Sequence, residues 1–133
     1  MTGTIIIKPS VQRQFDRFMS SGRILFFSAP CGFGKTALAE ALLRGRNVLR
    51  LSMGNADCVI PPTAQGWDIL LIDDLQLMQD EPEQQALCEL IRSNPERRFV
   101  LLSRGTPPGC LMAFQYTGLM TVLTAEDLFF RSR

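Results

Sequence analysis

An α/β sandwich, with a mainly parallel sheet of five strands flanked by helices, is the fold class this sequence predicts. Two observations carry that expectation. Short apolar runs recur at residues 24–27, 48–51, 69–72, 99–102 and 119–123, and those at 24–27 and 69–72 are apolar enough for strands buried on both faces. Stretches of helical spacing lie between most of them, and strands alternating with helices imply parallel pairing through right-handed crossovers. A chain of 133 residues, 46% hydrophobic and 20% charged, is one soluble globular domain spanning residues 1–133.

Taken in order, residues 4–7 read either as a short leading strand or as an extended arm. Ser10 is the expected N-cap of a first helix, whose Val11, Phe15, Phe18 and Met19 share one face and which stops at Gly22. After the strand at 24–27, Ala37, Leu38, Ala41 and Leu42 recur at helical spacing up to Gly45. Residues 47–52 form the second strand. The connection at 53–67 is rich in Gly, Asn, Asp and Pro, so the usual crossover helix is cut down or missing there.

The third strand ends in Asp73-Asp74. Asp80-Glu81-Pro82-Glu83 then has the pattern of a capping box with an early proline, opening a helix that buries Leu87, Leu90 and Ile91 and ends at Asn94-Pro95. Arg97 and Arg98 precede the fourth strand and are expected on a solvated face at the far edge of the sheet. Residues 105–109, with Pro107-Pro108, read as a loop. After a last short strand, Thr124-Ala125-Glu126-Asp127 is a second capping box, with only Leu128-Phe129-Phe130 and three polar residues beyond it. A helix that begins there suggests the front end of a longer protein.

The formal net charge is +1, so no surface for a polyanion is announced and direct nucleic-acid binding is not supported. The sequence has no run of about eighteen apolar residues and no signal-peptide pattern, and a cytoplasmic location is expected. Cys31, Cys58, Cys88 and Cys110 are scattered and no histidine is present, which gives no zinc pattern and suits reduced thiols.

The chemistry is concentrated between the first strand and its helix. Ala29-Pro30-Cys31-Gly32-Phe33-Gly34-Lys35-Thr36 has the form of a phosphate-binding loop with alanine in place of the first glycine. Gly-Lys-Ser/Thr alone arises by chance in roughly one chain in twenty of this length, so the flanks decide. A buried strand precedes it, a helical pattern follows, and Gly32 and Gly34 supply the unusual dihedrals and close backbone approach. In such a loop, residues 29–36 cradle phosphates, through the backbone N–H groups of all but Pro30, Lys35 reaches the terminal ones and Thr36 holds Mg²⁺. The positive end of the following helix faces the same anion. The ordinary alternative is a plain strand-to-helix turn. Cys31, beside a helix N-terminus, is either an unusually acidic thiol or a tolerated small residue.

Two further strand ends complete the set. Asp73 is placed to hold Mg²⁺ through water, and Asp74 to orient or deprotonate an attacking water. Ser103-Arg104 ends the fourth strand, and ligands of parallel sheets gather at carboxyl ends, so Arg104 is positioned to sense a γ-phosphate. For Arg104 and Asp73 to face the same phosphates, the Ser103 strand must lie between the loop strand and the Asp73 strand. The fold expected is thus a P-loop NTPase three-layer sandwich.

Residues 27–36, Leu71-Ile72-Asp73-Asp74 and Leu101-Leu102-Ser103-Arg104, in that order, resemble the nucleotide-binding domain of the signal-transduction ATPases with numerous domains. The subgroup most similar is the LuxR-type transcriptional activators akin to the maltose-regulon activator. In that subgroup the loop also begins with a residue other than glycine, and Leu123-Thr124-Ala125-Glu126-Asp127 resembles its final helix start. The crossover at 53–67 is shorter than in the family, and Met53-Gly54 stands where an acidic residue is usual. The resemblance implies a slow Mg-dependent ATPase used as a switch, in which ATP favours an open, self-associating state and ADP a closed one. It also implies partners: winged-helix, sensor and DNA-binding segments of the same chain, with DNA bound only through the last.

Two other readings compete. A small P-loop kinase needs a cationic lid, and residues 105–118 contain no Arg or Lys. A degenerate domain serving only as a protein-interaction module would account for the missing glycine and the short crossover. Ile7 and Val11 are either adenine neighbours or, more simply, core residues.

Overall fold

The computed structural model describes residues 7–30, 34–54, 59–61, 65–78 and 80–128. Its strands are β1 (Ile24–Ser28), β2 (Val48–Ser52), β3 (Ile69–Asp73), β4 (Arg98–Ser103) and β5 (Met120–Thr124). Its helices are α1 (Pro9–Ser21), α2 (Lys35–Leu42), α3 (Glu81–Ser93), α4 (Met112–Tyr116) and α5 (Ala125–Leu128), with 3-10 turns at Leu75–Leu77 and Gly109–Leu111. All five strands pair in parallel, in the order β2-β3-β4-β1-β5. The strand that ends in Ser103 therefore lies between β1 and β3, as the site required.

Alternation along the strands divides the core into two layers. Leu25 and Phe27 of β1, Leu71 of β3 and Val100 and Leu102 of β4 pack against Val11, Phe15 and Phe18 of α1, Leu38, Ala39 and Leu42 of α2 and Leu128 of α5. Ile24, Phe26, Leu70, Ile72, Phe99 and Leu101 point the other way, onto Leu87, Leu90 and Ile91 of α3 and onto Leu111 and Phe114. Central strands buried on both faces need unbroken apolar runs, which β1, β3 and β4 have. Val11 is core, as its spacing suggested, and Ile7 packs against the same cluster. Residues 4–6, the greater part of the expected leading strand or arm, lie outside the described residues, as do Cys58 and Phe129-Phe130.

Several local expectations are corrected. The first helix begins one residue before Ser10: Lys8 is the N-cap, with no side-chain cap bond, and Pro9 takes the first turn. Proline suits that position because its missing N–H would have no helical partner anyway. Gly22 ends the helix with φ −91°, so its role is not a left-handed turn. A Cβ there would come within 3.1 Å of the Phe18 Cα, and close approach is the reason for glycine.

The second helix ends at Leu42, short of Gly45, whose φ of 82° places it in the turn that follows. Asp80 is the N-cap of α3 but makes no side-chain cap bond, so the Asp80–Glu83 capping box does not form. The Thr124 pattern does close one arm of its box: the Thr124 N–H donates to Asp127 Oδ2 at 2.8 Å. The loop expected at 105–109 ends in a 3-10 turn that begins at Gly109 and leads into α4, which no strong apolar period announces.

Arg97 and Arg98 do lie at the amino edge of the sheet, but they are not a solvated face. Arg98 Nε donates to the Phe18 carbonyl at 3.1 Å, closing the C-terminal turn of α1. Its neighbour Arg23 donates to the carbonyls of Ile91, Asn94 and Arg97, closing α3 and the turn into β4. Helix C-termini leave orphan carbonyls, and cations satisfy both the hydrogen bonds and the dipole. Burial first, and then the charge of Arg98, holds the Arg23 guanidinium below its ordinary value, with Glu96 opposing.

Cys88 and Cys110 are free thiols. Burial and the hydrogen bond with Cys110 push Cys88 up to about 12, which makes it an inert core residue. Among the described residues no helix is long and apolar enough to cross a membrane.

Replacing Arg23 removes three charge-assisted donors at once. Arg23→Leu is expected to lower the unfolding free energy by about 2–3 kcal/mol, read as a shift of the denaturant midpoint at unchanged m-value.

Candidate functional site

Parallel register brings five strand ends to one edge. Ser28 at the end of β1 is level with Ser103 of β4 and Thr124 of β5, while Ser52 of β2 is level with Asp73 of β3. Beyond Ser28 the bonding to β4 continues: the Ala29 N–H donates to the Ser103 carbonyl at 3.1 Å, and Ser28 Oγ donates to the Gly105 carbonyl at 2.9 Å. Ala29 is 2% exposed, so the residue standing for the first glycine of the motif is packed core. Pro30 follows at the surface. Cys31, Gly32 and Phe33, the middle of the expected cradle, lie outside the described residues.

Gly34 stands in the left-handed region, φ 75° and ψ 26°, as the N-cap of α2. That conformation is open to glycine and costly for most other residues. It turns the chain so that Lys35 and Thr36 form the first turn of the helix. Lys35 is 9% exposed, and its Nζ donates to the carbonyls of Ala29 at 2.7 Å and Pro30 at 3.2 Å. The ammonium thus closes the two ends of the loop onto each other.

Thr36 Oγ1 donates to Asp73 Oδ2 at 2.8 Å, joining α2 to the end of β3. The second carboxylate oxygen, Oδ1, accepts the N–H of Asp74 at 2.8 Å. Asp73 is therefore fixed in direction by a hydroxyl and a backbone donor. Thr36 Oγ1 and Asp73 Oδ2 are two hard oxygen donors within hydrogen-bond reach. No group of three or more acidic, Cys or His ligands exists among the described residues. That sparse set fits Mg²⁺, which keeps most of its waters and takes the rest of its ligands from phosphate oxygens.

Asp74 adopts φ 56° and ψ 43°, the one non-glycine residue with positive φ among the described residues. Asp and Asn tolerate this region better than other side chains, and such outliers cluster where a site constrains the backbone. The turn opens the 3-10 segment Leu75–Leu77. A Cβ placed on Gly54 would lie 3.5 Å from Asp74 Oδ2, so the carboxylate sits directly over a bare stretch of backbone after β2.

Sequence reading missed Gln76. Its Nε2 donates to Asp74 Oδ1 at 3.4 Å, and its Oε1 accepts the backbone N–H of Arg104 at 3.0 Å. A glutamine two positions past an aspartate pair carries no motif signal, and only the turn at Asp74 aims it across to β4. The side chain of Arg104 is exposed at that edge. Lys35, Thr36, Asp73, Asp74 and Arg104 are thus brought to one edge of the sheet. From Thr36 to Arg104 they form a continuous chain of hydrogen bonds through Gln76.

The chain matches no family model, and no curated protein matches it.

The positive φ at Asp74 has a measurable consequence. Asp74→Ala is expected to lower the unfolding free energy by about 1 kcal/mol through backbone strain, and Asp74→Asn by less than half of that. Urea unfolding of the two variants side by side checks the difference.

Proposed function

We propose that this domain binds ATP with Mg²⁺ and hydrolyses it slowly, as a nucleotide-dependent switch. The observation that carries the reading is the meeting of Lys35, Thr36, Asp73, Asp74 and the Arg104 strand end at one carboxyl edge. Lys35 exchanges its loop carbonyls for β- and γ-phosphate oxygens, which a flexible stem with rotatable donors allows. The backbone N–H groups at the start of α2 face the same oxygens. Thr36 and Asp73 would hold Mg²⁺, which neutralises charge developing on the phosphates. Asp74 orients the attacking water or accepts its proton, and Arg104 contacts the γ-phosphate from the end of β4.

Sequence motifs and their order support placing the domain in the P-loop fold, among the signal-transduction ATPases of the LuxR-type activators. In that setting the γ-phosphate is the signal. Arg104 contacts it in the ATP state only, and such differential affinity is what shifts a conformational population. Self-association in the ATP state, and DNA binding through another segment of the same protein, belong to the same proposal. Phosphoryl transfer to a metabolite is less well supported, because residues 105–118 offer no cation to close over the phosphates.

The test is ligand-induced stabilisation. Mg-ATP at about 100 times its Kd adds about 2.7 kcal/mol to the native state, a rise in Tm of roughly 8–13 °C for a domain of this size. Lys35→Ala is expected to abolish that rise. Asp74→Asn, whose side chain tolerates the left-handed backbone, is expected to retain it while turnover falls about 10²-fold or more. A Lys35→Ala protein that is stabilised as strongly as the wild type sinks the proposal.

A further inference from the structure

We infer that Gln76 is a positioning residue that ties the carboxylate of Asp74 to the backbone of Arg104, so that both respond to the γ-phosphate as one unit. The inference rests on the nucleotide reading above and deepens it. A side-chain amide has one accepting and one donating end, and here both ends are committed. The Arg104 N–H, at 3.0 Å, requires the oxygen; the Asp74 carboxylate, at 3.4 Å, requires the NH₂ group. No other orientation of the amide satisfies both neighbours.

Location explains why such a tie is needed. Asp74 and Arg104 follow different strands, β3 and β4, and each stands one residue beyond its strand's last paired position. The left-handed turn at Asp74 points the chain out of the sheet, and Gln76 in the 3-10 segment reaches back across. It holds Oδ1 of Asp74, while Oδ2 faces the space over Gly54. One carboxylate oxygen is thereby anchored and the other is left for water. A pull on Arg104 by the γ-phosphate is transmitted to the anchored oxygen, and by linkage the state of Asp74 feeds back on the preference for ATP over ADP.

Two variants separate this role from packing. Gln76→Ala removes both bonds. Gln76→Glu keeps the acceptor for Arg104 but sets a carboxylate against Asp74, and protonation of the introduced carboxyl restores the donor. In the nucleotide-free protein, the Arg104 amide is expected to exchange about ten-fold faster or more in Q76A and little faster in Q76E.

With Mg-ATP, both variants are expected to lose about ten-fold or more in kcat at about pH 8. Q76E regains rate toward about pH 6, because a neighbouring like charge raises the introduced carboxyl toward that range; Q76A does not. Preference for a non-hydrolysable ATP analogue over ADP falls in Q76A toward that of Arg104→Ala.

Failure of the wild type to bind the analogue with Mg²⁺ overturns the nucleotide reading and this role with it. Binding by the wild type, with an Arg104 amide and an analogue preference that Q76A leaves unchanged, overturns the inference alone. A Q76E pH profile parallel to that of Q76A does the same.

Discussion

The insertion of β4 between β1 and β3 is the constraint on which the candidate site depends. Parallel pairing aligns all carboxyl ends at one edge, and the two-layer core fixes the register, because a slip of one residue would turn each buried side chain to the wrong face. With register fixed, Asp73 must end β3 beside the first turn of α2, and Thr36 must meet it at 2.8 Å. That bond is the only one of the chain from Thr36 to Arg104 that joins the helix layer to the sheet. The remainder lies within the sheet edge itself.

The two edges of the sheet are built for different purposes. At the amino edge, cations close helix ends: Arg98 on α1, and Arg23 on α3 and the turn before β4. These are consolidating contacts with backbone carbonyls. At the carboxyl edge, Lys35 is bonded to neutral carbonyls of its own loop, and the Arg104 guanidinium is exposed. A neutral carbonyl is a weaker partner for an ammonium than a charged oxygen, so Lys35 gains by exchanging one for the other. The same residue type thus stabilises the fold at one edge and remains recruitable at the other.

Much of this was legible in the residues. Unbroken apolar runs at 24–27, 69–72 and 99–102 mean strands covered on both faces, and the order of the central strands followed from requiring Asp73 and Arg104 at one place. Caps were less legible, because a side-chain cap is one of several ways to end a helix: Pro9 and backbone bonds served where Ser10 and the Asp80–Glu83 pair were expected. Arg97 and Arg98 were misread for a different reason. A charge before a strand looks solvated until the helix ends packed beside it are known, and those arrive from residues some 80 positions away. Gln76 had no signal at all, since its role depends on a left-handed residue two positions earlier.

Under the proposed reading, magnitudes explain why a tie such as Gln76 is required. One hydrogen bond to a charged group contributes about 1.5–3 kcal/mol, which changes a conformational ratio by roughly 10- to 150-fold. Reversing a population from 1:99 to 99:1 takes about 5.5 kcal/mol of differential affinity. The contact of Arg104 with a γ-phosphate therefore cannot throw the switch alone. A second γ-phosphate-dependent term must add to it, and Asp74 is the group beside Arg104 whose geometry that contact can alter. Were the two strand ends independent, their contributions would be made or lost separately and intermediate states would be populated. Joined through one amide, they gain or lose their contacts together, which is how two modest interactions produce one cooperative change.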